Sequence, residues 1–266
     1  MRDYEAVTAL TERSGDLGGH VWSLVTVADF ARIRGEIQQA RNICAQGLAE
    51  AGQLTDPQFT IYATFTCALV EMDGGAPDKA AAMFRQVAVL TQKGESSMYG
   101  ANTRLMLAQI DMESARCPQA IEKLDRVVSE FKAAEAKSGE ANAEALRAMC
   151  QQQLGDTAAR DTALARAKTL RRTVTSRQEV YFVDIAVAQL AAGTPRDAIA
   201  RLTALSADAE RRHWLGWSLE AKLAAWQLAE AHGEQPAAAR LKEELQKAAS
   251  AHDMGRILAR LQRPTP

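Results

Sequence analysis

The sequence has no apolar run that approaches the ~20 residues needed to span a bilayer, so it offers no transmembrane segment. It has no excess of either charge: 32 Lys and Arg stand against 33 Asp and Glu, for a net charge of −1. That balance gives no electrostatic reason to expect nucleic acid or an anionic membrane as a partner. The basic pairs Arg171-Arg172 and Arg211-Arg212 read as solvated helix ends. The opening residues, Met1-Arg2-Asp3-Tyr4-Glu5, lack the charged-then-apolar grammar of a secretory signal. Aromatics make up only 5%, and the abundant alanine suits close helix packing better than β-sheet. The four cysteines, Cys44, Cys67, Cys117 and Cys150, form no close pair of the metal-binding type. Cys44 and Cys67 fall in apolar helical stripes, where a free thiol behaves as a small hydrophobe. A reduced, cytoplasmic setting is the simplest reading.

Catalytic grammar is also scarce. Ser129-Glu130-Phe131-Lys132 matches a serine-x-x-lysine pattern, but its companion motifs are missing and it lies within an expected helix. His20, His213, His232 and His252 are far apart and show no ligand spacing. Gly15-Asp16-Leu17-Gly18-Gly19-His20 lacks the lysine and the strand context of a phosphate loop and reads as a turn. A helical enzyme would need clustered acidic metal ligands, and no paired-carboxylate motif on an apolar helix stands out. The chain therefore reads as a non-enzyme, with no cofactor and no metal.

What the sequence does contain is a beat. Gly35, Gly75, Ala115, Gly155, Gly193 and Gly233 follow one another at intervals of 40, 40, 40, 38 and 40 residues. Seven residues before these marks stand Ala28, Ala68, Ala108, Ala148, Ala186 and Trp226; five after them stand Ala40, Ala80, Ala120, Arg160, Ala198 and Ala238. A fixed period with apolar segments on both sides of each mark signals a solenoid of stacked helical hairpins.

The second unit shows the grammar. Phe65, Ala68, Leu69 and Met72 share a helical face, Gly74-Gly75 ends that helix, and Pro77 sits near the first turn of the next. Ala80, Phe84, Val87 and Leu90 then form the second stripe. Small residues at the crossings let the helices approach. Larger ones follow four residues later, at Cys44, Phe84, Leu124, Leu164 and Leu202; the sixth unit has Lys242 there, flanked by Leu241 and Leu245.

These residues resemble the tetratricopeptide repeat family across roughly residues 21–250. The period of 40 exceeds the family's usual 34, so each helix is expected to be about a turn longer. The bulky aromatic near the start of the first helix is mostly missing, with Leu24, Thr64, Arg104 and Glu144 in its place. The long units look like the repeat regions of large bacterial signalling and transcription regulators, and helical repeats of the HEAT or armadillo type are the structural alternative. The resemblance implies an all-α solenoid, a right-handed superhelix of about six hairpins, forming a single domain over 1–266. Its repeats run approximately 21–55, 56–95, 96–137, 138–174, 175–212 and 213–250, with a remnant or capping helix in 1–20 and a capping helix and tail in 251–266. Tyr4 and Val7 fit the offsets of a second helix from an earlier repeat, which suggests a piece of a longer regulatory protein.

The resemblance also says which face of the first helix looks into the concave groove: positions 13, 10, 6, 3 and 2 before each mark. From these the expected partner-binding residues are Trp22, Tyr62, Phe65, Met72, Asn102, Gln109, Met112, Asn142 and Met149. The fifth unit contributes an aliphatic stripe, Val180, Val183, Val187, Leu190 and Ala191, that reads as packing. Asn102 and Asn142 share a phase one repeat apart, and an amide both donates to and accepts from an extended backbone. The expected function is a non-catalytic scaffold or sensor module that takes a protein or peptide ligand in units two to four. A small-molecule effector domain and a structural rod that oligomerises are the alternatives.

Overall fold

The computed structural model describes residues 2–92, 97–190 and 193–263, with side chains from Ala6 onward except at Ser97. Ala191 and the Tyr4 side chain lie outside it. Among the described residues the regular elements are all helical: α1 (Arg2–Ser14), then the pairs α2 (Leu17–Ile33) and α3 (Ile37–Ala51), α4 (Pro57–Asp73) and α5 (Pro77–Thr91), α6 (Ser97–Glu113) and α7 (Cys117–Ala133), α8 (Lys137–Leu154) and α9 (Thr157–Arg171). The fifth pair begins with a 3-10 turn, Gln178–Val180, that leads into α10 (Tyr181–Leu190), followed by α11 (Pro195–Arg211). The sixth is α12 (Leu215–Ala231) and α13 (Gln235–Ala251), after which comes the short α14 (Gly255–Leu261).

The turns explain the beat. In the first, the Gly35 N–H donates to Arg32 at 3.0 Å and the Glu36 N–H to Ala31 at 2.8 Å; Gly75 and Ala76 repeat the pattern on Met72 and Glu71. This two-bond closure needs a left-handed residue, and Gly75 supplies it at φ 81°. Ala115 does the same job at φ 58° without glycine's freedom. Helix starts are fixed by side-chain caps at Asp56, Asp156 and Thr194, whose oxygens accept from Gln58, Ala159 and Asp197 N–H groups.

By compactness the chain divides into two units. The first comprises residues 1–103 with the segments 213–216 and 247–260. Here α2 packs on α3 and α4, and α4 on α5. Ala28, Ala40, Ala68 and Ala80 are completely buried at the crossings, and Phe84 fills the space beside them. One core cluster joins Ala28, Ala31, Ala40, Cys44, Cys67 and Val70. Cys44 and Cys67 are not free thiols in it. They are bonded as a disulfide that ties α3 to α4, because adjacent packing of those helices brings their Cα atoms to 5.6 Å.

The second unit holds 104–212, 217–246 and 261–266. Ala141, Ala145, Ala167, Leu170, Val180, Val183 and Ala186 form its main cluster, where α8 meets α9 and α10. Val180 and Val183 are fully buried there. Cys117 and Cys150 are buried free thiols, and burial pushes both up in pKa. In the sixth repeat Leu241 and Leu245 are buried while Lys242 is exposed, so the stripe slips by one residue.

Candidate functional site

Side-chain exposure narrows the first-helix wall. Six positions before each mark, Asp29, Leu69, Gln109, Met149, Val187 and Gln227 are all half-buried. Thirteen before, Trp22 is exposed and Tyr62, Asn102 and Asn142 are half-buried. Those two phases are seven residues apart and so share one helix face. Ten before, the wall turns inward: Val25, Leu105, Ala145 and Val183 are buried, and only Phe65 keeps an accessible edge in the first three repeats. Met72 and Met112 are 3% and 4% exposed. They belong to the interior and offer no deformable surface to a partner.

An aromatic cluster occupies the wall of the first unit. The Trp22 indole stacks on the Tyr62 ring, with centroids 4.3 Å apart and planes at 26°. Tyr99 then meets Tyr62 edge-on at 6.4 Å and Phe65 at 5.6 Å, and Phe65 meets Phe84 at 5.6 Å. The Thr26 hydroxyl donates to the Trp22 carbonyl at 2.8 Å, so its 2.9 Å bond with Tyr62 has the phenol as donor. The Tyr62 ring also rests against Val21, Val25, Ala51 and Ala63. Trp22 nevertheless stays 52% exposed, a flat indole face held rigid by its neighbour and open to solvent. The sequence reading missed Tyr99. It lies three residues before Asn102, one helical turn from a wall position, and that spacing was the available signal.

Further along α2, Arg32 donates to Asp29 at 2.8 Å and to Asp73 at 2.7 Å. Burial alone would lower the Arg32 pKa, but the two carboxylates outweigh it and hold the guanidinium well above its ordinary value. The charge on this face is therefore fixed at any ordinary pH.

In the second unit Asn142 is already engaged. Its Nδ2 donates to the Glu179 carbonyl at 2.8 Å, and its Oδ1 is buried with no hydrogen-bond partner among the described residues. Its amide braces the start of the next repeat, leaving no free donor for a ligand backbone along that edge. Met149 packs against the Ala141–Ala186 cluster. Ser129 is exposed and donates to the Asp125 carbonyl. Among the described residues, no group of three or more His, Cys, Asp or Glu is placed to hold a metal, and no helix is long and apolar enough to cross a membrane.

No protein-family model and no curated protein matches the chain. Solved structures do match in fold. A Rap protein complexed with competence and sporulation factor superposes with a TM-score of 0.72 at 11% identity, over 97% of this chain and 74% of that one. BtubC (BKLC) from P. vanneervenii gives a TM-score of 0.57 at 15% identity, over 100% of this chain and 91% of that one. With its paired helices, its left-handed turns and these likenesses, the chain is an all-α helical-repeat protein of the tetratricopeptide-like solenoid fold.

Proposed function

We propose that this chain is a non-catalytic binding scaffold, and that an extended peptide or a flexible segment of a partner protein lies on the first-helix wall of its first unit. The observation that carries this reading is the half-exposed Trp22 stacked on Tyr62. Rigid aromatics with one open face supply large contact area at small entropic cost and dominate recognition surfaces. Phe65 and Tyr99 extend the apolar floor, and the Asn102 amide stands on the same helix as Tyr99 to pair with a ligand backbone. Gln109 and Met149, half-buried on the second unit's wall, offer secondary contacts. The Rap protein of like fold was solved with a bound factor, which supports a sensor role within a larger regulatory protein.

The test is selection of binders from a random peptide display library with the full chain. Enriched peptides are expected to lose about tenfold or more in affinity, about 1.4 kcal/mol, with Trp22→Ala or Tyr62→Ala. Asn102→Ala should weaken binding less, and the helical signal should stay unchanged in all three. Equal binding by the Trp22→Ala/Tyr62→Ala double variant would move the site off this wall.

A further inference from the structure

Two contacts within the first unit share one register. Leu215, which opens α12, follows Gly35 by 180 residues, as Gly255, which opens α14, follows Gly75. Both pairs touch. A Cβ on Gly35 would stand 2.4 Å from Leu215 Cδ2, and one on Gly75 would stand 2.7 Å from both Cα and the carbonyl carbon of Gly255. The turn of one repeat thus receives the start of a first helix five repeats later, twice in succession. In the first pair a leucine side chain fills the notch; in the second, backbone lies on backbone.

Gly255 is the informative residue. Its φ is not in the left-handed region, so the backbone there would accept any side chain. Only the approach demands glycine: a Cβ would lie 2.6 Å from the Gly74 carbonyl oxygen and 3.0 Å from Gly75 Cα. Next to this contact, Asp73 is shared by two arginines, taking Arg32 Nη1 on one oxygen at 2.7 Å and Arg256 Nη1 on the other at 3.3 Å. Met254 and Ile257 flank Arg256 and are 2% and 1% exposed.

We propose that the Asp73-Gly74-Gly75 turn is a docking site for this chain's own α14, and that the two form a releasable clasp. Release is built into its proportions. A helix of seven residues is far below the ~12–15 at which an isolated helix becomes even marginal in water, so α14 owes its order to docking. The ion pair that anchors it is only partly buried and is weakened by salt. Asp73 also links the clasp to Arg32 and Asp29 on the helix that carries Trp22, so whatever displaces Arg32 alters the charge that Arg256 meets. The clasp stands independently of the peptide-binding reading.

Hydrogen exchange on the full chain, read by mass spectrometry, tests it. In the wild type, amides of 255–261 should be protected, and raising salt from about 0.1 to about 1 M should hasten their exchange. Gly255→Ala should speed exchange tenfold or more in 255–261 and together with it in 73–76, while α9 keeps its rates. Gly216→Ala is the control, since its Cβ would meet only Met254 Cε at an ordinary 3.7 Å. Arg256→Gln should raise the rates by a smaller factor and abolish the salt effect. An unprotected α14 in the wild type, or unchanged rates in both Gly255→Ala and Arg256→Gln, would overturn the proposal.

Discussion

Single residues set the acid and alkaline limits of this fold. Burial, with Asp208 adding to it, pushes the Tyr181 hydroxyl up to about 12, and Arg177 only partly opposes this. The neutral phenol donates to the Leu205 carbonyl inside the second unit. A raised folded-state pKa gives stability that is complete below the ordinary phenol pKa and is lost as pH rises through the folded value. Thermal melts should therefore fall from about pH 10 toward 12, and Tyr181→Phe should flatten that fall. Glu71 behaves oppositely. Burial would raise it, but hydrogen bonds and charge from Lys79 and Arg41 hold it below the usual range. Its contribution is present above the unfolded carboxylate pKa and disappears as pH falls through the lowered folded one, so Glu71→Gln should blunt the acid limb of a pH–stability curve. The Cys44–Cys67 bond closes a loop with a sequence separation of 23. Chain-entropy arguments put the stability lost on reduction at about 3 kcal/mol, measurable as a drop in the denaturation midpoint with dithiothreitol. The sequence showed both cysteines as stripe residues and nothing more. Their bond depends on α3 facing α4, a pairing that periodicity implies but does not orient to the ångström.

Helices and turns were the most legible level, because the grammar that forms them is local. The marks at Gly35, Gly75, Gly155 and Gly233 all fall in the left-handed region, and the alanines seven residues before the first four marks are fully buried. The fifth repeat was less legible: the 3-10 turn before Tyr181 shortens its first helix to ten residues of regular α-structure. The wall was legible by phase but not by depth. Ten and three residues before the mark look equivalent to thirteen and six on a helical wheel. Only stacking against the neighbouring repeat buries Val25, Met72 and Met112 while leaving Trp22 open. One element invites repair. Ala115 ends α6 at φ 58°, where a side chain costs about 1 kcal/mol relative to glycine. Ala115→Gly should raise the melting temperature by about 2–4 °C, readable by calorimetry, whereas Gly75→Ala should lower it both through its φ and through the loss of Gly255's contact.

At the scale of the molecule, neighbour-to-neighbour stacking makes most repeat proteins tolerant of length: a unit gained or lost leaves the others as they were. The turns at Gly35 and Gly75 place this chain under a different rule. Removing one whole period between them and α12, for example residues 116–155, would keep every remaining hairpin's grammar intact. Yet Gly35 would then face the glycine that opens α14 where it now holds Leu215, and Gly75 would lose its partner. Such a deletion is expected to cost cooperativity in thermal unfolding, in excess of the loss from shortening, while an insertion confined to the 93–96 linker should cost far less. An open array adapts to new ligands by duplicating units. A chain whose early turns are keyed to positions 180 residues later has fixed its own repeat number, and has only the side chains of its wall left to vary.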